Sequence, residues 1–245
     1  MWKKSCTRGF VEEIQTYCVS CSAMNRGIPL HRGLAALVVP AALLAAMMLA
    51  PAAANGGVLS QSGGLITYVA NQGERNDVLV STDVLLGGVA VYTFKDLDSN
   101  PITAQTPCQL INGVGMCMQS GVSAFVIDVR DQDDTAQVAT TGAGGAGPPG
   151  LGAQMIGGRG VDVLMGGIGG DILKGNDGRD SLRGRGGVDV YKGGRGVDNL
   201  QTLDGIADGF ISCGDGNRDV VRKDRIDPKA HHCEFSNRGN PSKPH

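Results

Sequence analysis

From residue 157 to residue 201 the chain repeats one pattern of glycine, carboxylate and apolar residue every nine positions. The five units read GGRGVDVLM, GGIGGDILK, GNDGRDSLR, GRGGVDVYK and GGRGVDNLQ. Place eight is always large and apolar (Leu164, Leu173, Leu182, Tyr191, Leu200), and place one is always glycine (Gly157, Gly166, Gly175, Gly184, Gly193). Place six is always aspartate (Asp162, Asp171, Asp180, Asp189, Asp198). Such a pattern predicts a tight turn over the first six places and a very short strand over the last three, with place eight pointing inward. Two units make one coil, so alternate units stack about 4.8 Å apart on the same edge. Asp162, Asp180 and Asp198 then line one edge, and Asp171 and Asp189 line the other.

Upstream the pattern changes. LITYVAN (65–71), DVLVST (77–82), VAVYTF (89–94) and VSAFVIDVR (122–130) are short β-rich runs separated by turn clusters. A hairpin is expected near Cys108 and Cys117, with Asn112-Gly113 at its tip. The fold class is therefore all-β: a small β-rich domain over 55–135, a Gly/Pro/Ala linker over 136–156, and a parallel β-roll over 157–201. A cap over 202–236, closed by a disulfide, and a disordered tail over 237–245 complete the expected order.

The first 54 residues read as targeting sequence. Arg26 and Arg32 precede an apolar stretch from Gly33 to Ala50, and Ala52-Ala53-Ala54 offers a small-residue cleavage site. The stretch approaches membrane-spanning length, but Pro40 and the alanine site favour a removed signal peptide over 24–54. Residues 1–23 are then an over-extended start. Of seven cysteines, this leaves Cys108, Cys117, Cys213 and Cys233, an even set that reads as two disulfides in an exported chain. Local pairing, 108 with 117 and 213 with 233, is favoured among the three connectivities. The expected location is secreted, extracellular or at the cell surface, with no stable membrane insertion after cleavage. A net charge of −2 gives no bulk attraction for nucleic acid.

The repeat chemistry points to calcium. Six to eight oxygen ligands suit this ion, and a carboxylate shared between stacked turns plus turn carbonyls would supply them. The expected site is Asp162, Asp171, Asp180, Asp189 and Asp198 with Gly158, Gly160, Gly167, Gly169, Gly178, Gly187, Gly194 and Gly196. Glycine is expected there because tight turns use positive φ and let carbonyls converge. Three full intervals result: 162/180, 180/198 and 171/189. At roughly 1 mM calcium and a Kd of about 0.1 mM, each site adds about 1.4 kcal/mol by linkage. Three sites give about 4 kcal/mol, comparable with the roughly 5–15 kcal/mol of an ordinary domain. The roll is expected to fold on binding calcium.

These units resemble the haemolysin-type (RTX) calcium-binding repeat, GGxGxDxUx with U large and apolar. Asn176 and Arg185 replace the second glycine in units three and four. The units also carry seven cations (Arg159, Lys174, Arg179, Arg183, Arg185, Lys192, Arg195) against six aspartates, Asp177 included. More broadly, the chain is similar to a secreted bacterial group in which a β-region with a short Cys–Cys loop precedes the roll. That group ends in C-G-x-G-x-D-x-V…D-R-x-D…C-E. The corresponding residues here are Cys213-Gly214-Asp215-Gly216, Arg218-Asp219-Val220-Val221, Asp224-Arg225-Ile226-Asp227 and Cys233-Glu234, with Asn217 as an extra residue. The acidic stretch VIDVRDQDDT (126–135) resembles the group's turn before the roll.

Other motifs fall short. Asp215 to Asp219 starts like an EF-hand, but Val220 and Ile226 stand where glycine and glutamate are needed. His231, His232, Cys213 and Cys233 could hold zinc, against which stands a disulfide between the two cysteines. No nucleophile elbow, H-E-x-x-H or P-loop occurs, and no histidine lies between His31 and His231, so an enzyme is not expected. The sequence thus reads as a secreted calcium-binding protein. The alternative is a cell-surface or matrix interaction module with a protein or glycan partner and a purely structural roll. Exposure of Tyr68, Tyr92, Phe94 and Phe125 would favour that alternative.

Overall fold

The computed structural model describes residues 56–85, 89–139 and 150–238. The expected start and signal peptide, most of the glycine–proline stretch and residues 239–245 lie outside them. The first half contributes β1 (Val58–Ser62), β2 (Leu65–Val69), β3 (Asp77–Leu85), β4 (Val89–Asp96), β5 (Thr103–Ala104), β6 (Gln109–Ile111), β7 (Val114–Met118), β8 (Ala124–Asp128) and β9 (Thr135–Val138). The repeats contribute β10 (Gly152–Gly160), β11 (Val163–Met165), β12 (Ile172–Gly178), β13 (Ser181–Arg183), β14 (Val190–Gly196) and β15 (Asn199–Thr202). Three more strands follow: β16 (Phe210–Gly216), β17 (Val220–Lys223) and β18 (Phe235–Arg238). The described residues are all-β, and no helix among them is long and apolar enough to cross a membrane.

These strands form two sheets, ordered β16-β14-β12-β10-β8-β2-β1-β5 and β18-β17-β15-β13-β11-β9-β3-β4-β7-β6. From β8 to β17 the chain alternates between them, each strand lying parallel to the one a coil earlier, and β18 then lies parallel to β17 at the edge of the second sheet. The β-rich region and the repeats therefore share both sheets: β2 pairs with β8 and β8 with β10, while β3 pairs with β9 and β9 with β11. Among the described residues, antiparallel strands occur only at one end, where β1, β4, β6 and β7 fold back.

Register explains the periodic apolar place. Tyr68, Ile127, Met155, Leu173, Tyr191 and Ile211 stand side by side across one sheet. Val78, Ala136, Leu164, Leu182, Leu200 and Val221 do so across the other. Every one of these twelve is fully buried, in one continuous core. At about 25 cal/mol per Å² of apolar surface, filling this column is the main favourable term for each coil. The stretch expected to be a linker is strand at both ends, because Ala136 and Val138 face the core from β9 and Ala153 and Met155 from β10. Its Thr-Ala-Gly-Pro composition hid that alternation.

Two disulfides join Cys108 to Cys117 and Cys213 to Cys233. They exclude a zinc site built on the latter pair, and they suit an oxidising environment. The first flanks the β6–β7 hairpin, whose tip residues Asn112 and Gly113 both take left-handed φ (51° and 77°), as a two-residue hairpin turn requires.

Candidate metal centre

The turns between the sheets form two edges of stacked aspartates. On the first edge, Asp162 Oδ1 accepts from the Asp134 N–H at 3.0 Å, Asp180 Oδ1 from Asp162 N–H at 3.0 Å, and Asp198 Oδ1 from Asp180 N–H at 2.9 Å. The ladder runs further than the five units. Asp134 accepts from Asn76 N–H, Asp219 from Asp198 N–H, and Glu234 from Asp219 N–H. On the second edge, Asp171 accepts from Ala153 N–H and Asp189 from Asp171 N–H, both at 2.7 Å. Asp208 and Asp227 continue it, accepting from Asp189 and Asp208. One oxygen of each carboxylate thus satisfies the amide of the same place one coil earlier.

The other oxygens divide the edges. Asp134, Asp162, Asp180, Asp198 and Asp219 are each buried, and the Oδ2 of each has no hydrogen-bond partner among the described residues. On the second edge, Asp171 Oδ2 accepts from Gly167 N–H, Asp189 Oδ2 from the Tyr191 hydroxyl, and Asp227 Oδ2 from the Thr202 hydroxyl and Asp224 N–H. Only Asp208 on that ladder keeps an orphan Oδ2. Burial raises these carboxyls from 3.8, only partly offset by the amide bonds: Asp162, Asp180 and Asp189 to about 6, Asp134, Asp171 and Asp198 to about 7, and Asp208 to about 8.

Glycine has two distinct roles in the turns. Place one is steric: a Cβ on Gly157, Gly175 or Gly193 would collide with Oδ2 of Asp162, Asp180 or Asp198 folded over it. Positive φ belongs to places two and four, at Gly158, Gly160, Gly178, Gly187, Gly194 and Gly196. A Cβ at Gly178, Gly194 or Gly196 would strike the carbonyl oxygen of Gly160, Asn176 or Gly178 in the preceding coil. Gly167 and Gly169 do not take positive φ, so the conformational reason expected for them does not hold; close approach of Gly150 O to Gly169 excludes a side chain instead. Asn176 and Arg185 occupy left-handed backbone at φ 78° and 72°. Asparagine tolerates that region readily; arginine does so at a cost.

The excess of cations also has a structural place. Asp131, Arg159, Asp177, Arg195 and Asp215 are consecutive neighbours across place three of the first edge, alternating in sign. Arg195 Nη1 stands 3.8 Å from Asp177 Oδ1. Opposite charges directly across strands favour this register by a few tenths of a kcal/mol per pair.

Do these residues fit calcium? The first edge offers hard oxygen donors only, placing buried, unneutralised carboxylate oxygens beside carbonyl oxygens of successive turns. That donor chemistry fits. Among the described residues no three His, Cys, Asp or Glu side chains converge, so an ion would depend on main-chain oxygens for most of its shell. Tyr68, Tyr92, Phe94 and Phe125 are all buried, so none forms an exposed aromatic patch. Comparison with protein-family models, curated proteins and solved structures finds no match for the chain.

Proposed function

We propose that this is a secreted calcium-binding protein whose aspartate-lined turns hold calcium between coils in the manner of an RTX-type β-roll. The observation that carries the reading is the file of orphaned Oδ2 atoms at Asp162, Asp180 and Asp198, buried with no donor to meet them. A buried unpaired acceptor is costly and an ionised one more so, and a divalent cation removes both penalties. Gly158, Gly160, Gly178, Gly194 and Gly196 let the turns close tightly enough for carbonyls to join the carboxylates.

Export supports the same reading. The exterior is calcium-rich and oxidising, whereas at cytosolic calcium the first edge stays charged and unneutralised. The direct activity is calcium binding, and the consequence is ordering of the roll outside the cell. Far-UV circular dichroism of the full chain in chelator and in about 2 mM calcium tests this; a gain of β-signal with calcium is expected, and identical spectra would refute it. The interaction-module alternative loses its aromatic candidates to the core.

A further inference from the structure

We propose that calcium is confined to the first edge, because on the second edge the protein supplies its own cations, the Arg185 guanidinium and the Lys223 ammonium. This inference rests on the calcium reading and assigns the ions to particular intervals.

Arg185 occupies place two of its turn, where the backbone favours glycine, and spends that strain on a specific contact. Its Nη1 donates to the carbonyl oxygens of Val138 at 2.7 Å and Gly166 at 3.0 Å. Gly166 opens the turn that ends at Asp171, so the guanidinium brings a fixed positive charge into the 171/189 interval and occupies a main-chain oxygen there. Asp171 is also among the charges acting on Arg185, drawing its pKa upward against burial and Arg183, which lower it.

Two turns further along, Lys223 is buried and donates from Nζ to the carbonyls of Asp227 at 3.0 Å and Asp224 at 3.3 Å. Tyr191 completes the second edge by donating to Asp189 Oδ2. Thus three of its four ladder carboxylates are satisfied within the chain, against none of the five aspartates on the first edge. Where unit three replaces the second glycine on the first edge, it uses Asn176, which carries no charge.

The test counts calcium ions on the full chain by native mass spectrometry and measures affinity by calorimetry, in wild type, D198N, D189N and R185G. D198N is expected to lose one or more ions and to weaken the remaining binding by about tenfold or more, the scale at which even outer-shell partners act. D189N is expected to keep the wild-type count with affinity within about twofold, since both oxygens of that carboxylate already have donors within the chain, the Asp171 N–H and the Tyr191 hydroxyl. R185G, which restores the glycine and frees Gly166 O, is expected to gain one ion.

Equal losses in D198N and D189N, or an unchanged count in R185G, would overturn the edge assignment while leaving calcium binding intact. Absence of calcium from wild type at millimolar concentration would instead overturn the underlying reading, and the assignment with it. Should a variant fail to fold, manganese substituted into calcium-loaded wild type decides the matter by NMR. Strongest broadening at the amides of 175–180 and 193–198 supports the assignment, and equal broadening at 184–189 overturns it.

Discussion

Acidification should stabilise the calcium-free protein, the reverse of ordinary acid denaturation. Asp162 and Asp180 are held at about 6 and Asp198 at about 7 in the fold, against 3.8 in the open chain. The sign follows from linkage: a carboxyl raised on folding binds more protons in the native state, so its contribution is fully present below 3.8 and is lost as pH rises through 6 to 7. At pH 7.5, ionising the three together opposes folding by on the order of 5–10 kcal/mol, the lower figure allowing for solvent screening and for the charges they share. That rivals the whole stability of about 5–15 kcal/mol expected of a domain. At pH 4.5 the same three groups cost only about 3 kcal/mol. Calcium-free protein, prepared by dialysis against chelator, should therefore be disordered in the repeats at pH 7.5 and regain β-signal and a cooperative melt near pH 4.5. Calcium affinity should fall over the same window, since protons and calcium compete for the same oxygens. A calcium-free melting temperature that is highest at pH 7–8 and drops on acidification would refute the reasoning.

Three substitutions probe the same physics. Asp180→Asn keeps the Oδ1 acceptor for Asp162 N–H but removes the buried charge; it should raise calcium-free stability at pH 7.5 by up to about 3 kcal/mol, abolish most of the calcium response, and behave like wild type below pH 4 in thermal melts. Gly175→Ala puts a methyl against Asp180 Oδ2 and Gly193 O and should cost about 1–3 kcal/mol in chemical denaturation of the calcium-loaded protein, whereas Gly63→Ala, with open space around it, should lose only what its φ of 56° imposes. Leu182→Ala removes a fully buried member of the apolar column and should cost about 2–5 kcal/mol at either pH, a loss that calcium offsets without changing its binding count.

The sequence made the repeated part of the fold legible because one carboxylate and one apolar residue recur at fixed spacing. Place eight is buried in all five units, and the hairpin tip at Asn112-Gly113 and both cysteine pairs stand where their chemistry put them. What escaped was the extent of the winding. Residues 129–137 form an earlier unit in which Arg130 and Gln132 take the left-handed places (φ 71° and 87°) that glycine fills later. Asp134 and Ala136 hold its sixth and eighth places, but Val129 and the small Ala136 blur the signature. Downstream, extra residues in the turns stretch the ladder spacing from 18 to 19 at Asp189–Asp208 and 21 at Asp198–Asp219, breaking the phase.

The difference between the edges could not be read from spacing. All five aspartates match the same consensus, and only tertiary contacts reveal which of their oxygens already have donors. Arg185 illustrates this best: in sequence it is a lost glycine and an unwelcome charge, and in the fold it is a cation seated on two carbonyls.

The most direct test is a calorimetric calcium titration of the full chain at pH 7.5, with Asp180→Asn run alongside. Saturable binding with a Kd between about 0.1 and 1 mM, lost or sharply weakened in the variant, is the expected result. No binding heat at millimolar calcium, or the same isotherm in both proteins, would contradict the assignment of these aspartates to calcium.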